Sequence, residues 1–145
     1  MKKISLTIIL TTIALGNPAF ARNDAVYVPF DEVVQLGTSE GKLDGSVKFY
    51  LAGASTPKVQ KKLQTDTSNK KTNAFGKDDQ TACKWAALSA LIAFQNKAKT
   101  LGANAVIDMV SYNNKVQYKD PARIECRAGN VMAGVALRGT YAQTQ

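Results

Sequence analysis

The chain has 145 residues, two cysteines, no histidine and a formal charge of +8 at neutral pH. That length builds one domain around one core and leaves no room for a second. Without histidine, the usual Ser/His/Asp and Cys/His nucleophilic schemes are excluded, and so is the commonest zinc ligand.

The first 21 residues, MKKISLTIILTTIALGNPAFA, carry two lysines, an apolar run from Ile4 to Leu15 and an Ala-Phe-Ala ending. This is the pattern of a secretory signal peptide cleaved after Ala21. The apolar run is shorter than the ~20 residues that cross a bilayer as a helix, so the mature protein is expected to be periplasmic, soluble and without a membrane span. The positive charge beyond it is spread over many lysines. That suits a solvated surface, or contact with an envelope protein or an anionic envelope surface, more than nucleic acid.

Residues 22–44 hold short apolar pieces separated by Pro29, Gly37 and Gly41, and read as an N-terminal arm. One α/β domain is expected over residues 45–145. SVKFYLAG, at 46–53, is rich in strand formers and ends at a glycine, whereas KVQKKLQTDTSNKKTN alternates only at first and is a weaker strand pattern. Residues 70–79 are polar and read as a loop.

From Gln80 to Leu101 the period changes. Cys83, Ala87, Ala90, Leu91, Phe94, Ala98 and Leu101 recur at helical spacing, while Asp78, Asp79 and Thr81 suit a helix start and Gly102 a stop. Trp85, Leu88 and Ile92 widen the apolar stripe, as expected of a helix lying on a sheet. NAVIDMVSY (104–112) and NVMAGVALRGTY (130–141) read as strands, the second with Val131, Ala133, Val135, Leu137 and Tyr141 on one face. The connection NNKVQYKDPARIECRAG is longer than a hairpin turn and is the natural place for function. The expected fold is therefore α/β (α+β): one long helix packed on a small, largely antiparallel sheet.

The helix and a nine-residue strand have the same length, about 30 Å. With only Gly102 and Ala103 between them, the strand at 104–112 runs back beneath the helix and the strand at 130–141 runs forward again. Cys83, in the first helical turn, and Cys126, just before the last strand, then fall at the same end of the layer. In an exported chain that arrangement favours a single structural disulfide, with a redox pair as the alternative.

FGKDDQTACKWAALSALIAFQNKAKTLGANAVIDMVSY followed by IECRAGNVMAGVALRGTY resembles small exported bacterial proteins labelled excinuclease ATPase subunit-like. The core AL..L...A..LGANAVI is similar to the YbjQ-like family of compact α/β domains, which form rings. More distantly, a cysteine at the head of the helix and Cys126 eight residues before a Gly-x-Ala-Leu strand resemble the envelope stress sensor RcsF, in which the corresponding cysteines are bonded. That resemblance implies a Cys83–Cys126 bond, although RcsF's lipid-bearing cysteine, proline-rich region and second disulfide have no counterpart in this chain. The ATPase label implies a P-loop, but Gly76-Lys77 is followed by Asp78 and lacks the preceding glycine pattern.

No catalytic residue, metal ligand set or cofactor motif emerges. Asp108 interrupts an apolar strand and is expected to face Arg138 on the neighbouring strand as an ion pair. Tyr112, Lys115, Tyr118 and Lys119 form a candidate contact surface on the long connection. Export, the missing catalytic groups and the resemblances together point to a non-enzymatic envelope protein that binds a partner or assembles as a small homo-oligomer. The alternatives are a carboxylate-dependent hydrolase or transferase and a thiol redox protein.

Overall fold

The computed structural model describes residues 22–145, so the expected signal peptide lies outside the described residues. Two helices and six strands follow the order β1 (Asp24–Pro29), α1 (Phe30–Ser39), β2 (Lys48–Leu51), β3 (Val59–Asn73), α2 (Asp79–Leu101), β4 (Ala105–Ser111), β5 (Arg123–Ala128) and β6 (Met132–Thr144). The result is a mixed α+β fold on one curled sheet, in which all pairings are antiparallel except β2 with β4. Six strands make the sheet larger than the small one expected.

Helix α2 starts and stops where its sequence says. The Asp78 carboxylate accepts from the Thr81 amide at 2.8 Å, and Gly102 takes the left-handed conformation, φ 72°, that ends the last turn. Ala82, Cys83, Ala86, Ala87, Leu88, Ala90, Leu91, Phe94 and Ala98 are buried, with Trp85 and Ile92 half-buried at the margins of the stripe. The stripe is broad because it serves two neighbours: the sheet on one side and α1 on the other. Gln95, a polar residue on this helix, is buried where the chain leaves α1. It accepts from the Asp44 amide at 3.1 Å and donates to the Lys42 carbonyl at 3.1 Å.

Strand β6 is the axis of the sheet. β3 lies along one edge for its whole length, and the other edge is divided, β4 pairing Leu137 to Ala142 and β5 pairing only Ala133 and Gly134. Where those two diverge, the last residue of β4 and the turn after it fill the gap. Asn113 donates to the Glu125 carbonyl and accepts from the Ala136 amide, both at 3.0 Å, and the Ser111 hydroxyl accepts from the Glu125 amide at 2.8 Å. The inner face of β6 carries Ala133, Val135, Leu137 and Tyr141, as the alternation requires, whereas Val131 precedes the strand and is exposed. Tyr141 packs on Phe94 of α2, with ring centroids 5.8 Å apart.

Three stretches depart from expectation, and the first is 70–73, expected in a loop but continuing β3 in register with β6. Residues 22–44 are part of the core rather than an arm: β1 pairs with β5 from Asp24 to Pro29, and Val28, Phe30 and Val33 are buried. Gly37, which looked like a break, lies inside α1 because Leu43 and Leu88 press against it, with a Cβ there reaching 2.5 Å from Leu43. The long connection is also not all loop, since residues 123–128 form β5.

Cys83 of α2 and Cys126 of β5 are disulfide-bonded, their Cα atoms 5.8 Å apart and both residues fully buried. The bond ties the start of the helix to the strand that has the shortest ladder of the three paired with β6.

Candidate binding surface

Residues of β6 that point away from α2 include Met132, Gly134, Arg138 and Thr140, and these form the middle of the outer sheet face. Two neighbours of β6 each gain one residue on adjoining stretches, β4 between Ile107 and Val110 opposite Arg138–Thr140 and β3 between Lys62 and Thr65 opposite Thr140–Ala142. Such bulges bend a strand and redirect side chains. In β4 the extra residue includes Asp108, which adopts a left-handed φ of 53°, a conformation that aspartate tolerates better than most residues.

The expected ion pair of Asp108 with Arg138 is not formed. Asp108 is instead paired with Lys62, 3.5 Å away and exposed. Arg138 lies over the Tyr112 ring, its guanidinium carbon 5.2 Å from the centroid. The two residues still line one depression of about 300 Å³ with Thr65, Gln117, Lys119 and Thr140.

The expected contact surface is thereby divided. Tyr112 and Lys119 flank the Arg138 depression. Lys115 is exposed on a turn where Asn114 and Lys115 are both left-handed, with φ of 52° and 61°. Tyr118 turns away to pack on Tyr27 at 5.0 Å, and its hydroxyl donates to Asp120 at 3.2 Å. Burial, and then the Asp120 charge, raises the Tyr118 pKa above the ordinary value. The Asp120 carboxylate is lowered, first by the Ala122 amide and then by that of Arg123, which it accepts at 2.8 and 2.9 Å. Those bonds make Asp120 a turn residue.

Most other carboxylates are also engaged separately. Asp44 pairs with Lys99, Glu32 with Lys84, Asp66 with Lys97 at 3.0 Å, and Asp79 with Arg22 at 2.7 Å, while Asp78 caps α2. Among the described residues no three histidine, cysteine, aspartate or glutamate side chains gather as a metal site.

Two depressions carry no signal in the linear sequence. An apolar groove of about 780 Å³ runs between α1 and residues 121–123, lined by Phe30, Val34, Phe49 and Pro121. A polar depression of about 350 Å³ lies at the other end of β6, walled by Arg22, Lys71 and Arg127 with Asn23, Asn69 and Asn114. Its residues come from four separate segments, which is why no motif announces them. Gly134 lies on its floor, covered by the Lys71 stem.

No helix among the described residues is long and apolar enough to cross a membrane. No family model matches the chain, and comparison with curated proteins and with solved structures returns no match.

Proposed function

We propose that the protein is an exported, non-enzymatic envelope protein of the periplasm that works by binding, its partner being an envelope protein or a second copy of the chain. The observation that carries this reading is the cluster of Arg138 on Tyr112 beside Lys119, on an outer sheet face whose nearby carboxylate, Asp108, is already paired with Lys62. An exposed cation on an aromatic ring, next to a shallow depression, suits recognition of an acidic surface. The buried disulfide supports an oxidising compartment. The resemblance to the exported excinuclease ATPase subunit-like proteins, the YbjQ-like domains and RcsF belongs to the same proposal. Separate carboxylates held by cations or backbone amides favour binding over acid/base chemistry.

The test is site-specific photo-crosslinking in intact cells from Thr67, which is exposed and in register with Arg138, compared with Asn96 on the exposed side of α2. A discrete product from Thr67, lost when Lys119→Glu and Arg138→Glu are combined, supports the reading, and its mass distinguishes a partner from a second copy. Crosslinking that is equal from Asn96, or unchanged by charge reversal, refutes it.

A further inference from the structure

The end of the sheet where β3 leaves and β6 begins exposes three large apolar residues: Phe75 at 76%, Val131 at 60% and Met132 at 45%. They belong together, because the Ala74 amide donates to the Val131 carbonyl at 2.7 Å and Asn73 is in register with Met132. Met132 also lines the polar depression walled by Arg22, Lys71 and Arg127. The apolar tip and the basic depression are therefore one continuous surface.

The depression is built for an anion. Arg22 pairs with Asp24 and Asp79, and Arg127 with Glu125, but none of these carboxylates lines the cavity. Lys71 makes no ion pair among the described residues, and its stem lies across Gly134, where a Cβ would be 3.5 Å from the lysine Cγ. The Nε–H of Arg127 is buried with no acceptor among the described residues, a donor whose lost hydrogen bond is costly. A carboxylate uses one guanidinium fork. Cations arriving from three segments around a common space fit the tetrahedral oxygens of a phosphate, and the asparagine amides fit the hydroxyls or esters beside it.

We infer that this end of the molecule docks on a membrane surface containing anionic phospholipid, with a headgroup phosphate in the Arg22–Lys71–Arg127 depression and Phe75, Val131 and Met132 entering the headgroup layer. Apolar side chains that sit singly on a surface need no explanation, but a cluster continuous with a cationic cavity combines the two forces that hold peripheral proteins on anionic bilayers. The site is separate from the Arg138 depression: Met132 and Gly134 of β6 line one and residues 138–140 the other, and no residue is shared. The two proposals stand or fall independently.

Flotation of the purified protein with vesicles of phosphatidylglycerol and phosphatidylcholine, against vesicles of phosphatidylcholine alone, tests the inference. Binding is expected only to the anionic vesicles, weakened on the order of tenfold by Lys71→Glu and several-fold by Phe75→Ser. Both positions are exposed, so circular dichroism is expected to remain unchanged. In a Phe75→Trp variant, anionic vesicles are expected to shift indole emission to the blue, and brominated acyl chains to quench it. Equal binding to both vesicle types, no effect of either substitution, or affinity for soluble glycerol phosphate without any vesicle binding would overturn the inference.

Discussion

Reducing the Cys83–Cys126 bond removes a crosslink without deleting an atom from the core, so the stability of the oxidised and reduced protein isolates what the link contributes. The bonded residues are 43 apart in sequence. Closing a loop of that length lowers the entropy of the unfolded chain enough to stabilise the native state by ~4 kcal/mol on the chain-entropy model. For a domain of this size, each kcal/mol shifts the melting temperature by about 4 °C, giving a loss of roughly 15 °C on reduction. Typical domains are stable by about 5–15 kcal/mol, so the reduced form is expected to remain folded at room temperature. Urea melts with and without excess reductant measure the difference directly, and the slope is expected to steepen on reduction as the freed unfolded chain exposes more surface. A Cys83→Ala/Cys126→Ala variant gives a second value, lower still because both sulfurs are fully buried and their packing goes with them. A difference below about 1 kcal/mol between oxidised and reduced protein, with the slope unchanged, would refute the reasoning, since it would mean the ends of the loop stay together in the unfolded chain.

Gly139→Ala is expected to cost about 2–3 kcal/mol in urea melts, because its Cβ would lie 2.7 Å from Val106 Cγ1 and 3.0 Å from Met109 Cγ in the core. Combining it with Val106→Ala is expected to recover part of that loss, read as a coupling in a double-mutant cycle. Asn113→Ala strands the Ala136 amide and the Glu125 carbonyl in the interior and is expected to cost about 2–4 kcal/mol, with Asn113→Asp failing to restore the donor. Below pH 4 stability is expected to fall. Asp44 is depressed chiefly by Lys99, Asp78 by the Thr81 amide and Asp120 by the Ala122 amide, so their contribution is present above the unfolded carboxylate value and is lost as pH drops through the folded ones. At the alkaline end, burial and then the Asp66 charge push Tyr141 up to about 12. Stability is therefore expected to decline between pH 10 and about 12, a decline that Tyr141→Phe reduces in thermal melts.

What the sequence made legible follows local periodicity. Helix α2, with its cap at Asp78 and its stop at Gly102, and the strands β4 and β6 declare themselves because each buries a continuous face. β3 was a weak pattern because it borders β6 on one side only and shows mostly lysine, threonine and asparagine to solvent. β5 was hidden because RIECRA is short and mixed, its burial supplied by β1 and α2 rather than by a pattern of its own. Gly37 and Pro29 read as breaks, yet one permits close packing and the other sits at the N-cap of α1, so β1 and α1 were mistaken for an arm. The same limit applies to the site. Arg138, Lys119 and Tyr112 could be named from sequence, but the bulge at Asp108 and its pairing with Lys62 depend on how β3, β4 and β6 lie side by side, a tertiary fact.

The divided edge of β6 sets an order in which parts of the molecule can open. β1 and β5 pair with each other over six residues, but the ladder joining them to the rest of the sheet consists of two pairs, Arg127 with Gly134 and Ala128 with Ala133. Asn113, Ser111, the Gln80 amide on the Tyr27 carbonyl and packing on α2 add to that attachment, and the disulfide is its one covalent link. β3 and β6, by contrast, share pairings from Val59 to Asn73. In the oxidised protein the amides of β5 are expected to exchange with solvent hydrogen only as slowly as the rest of the core, because Cys126 cannot leave α2. In the reduced protein β1 and β5 become a unit that detaches while β3, β6 and α2 stay closed, and their amides are expected to exchange first.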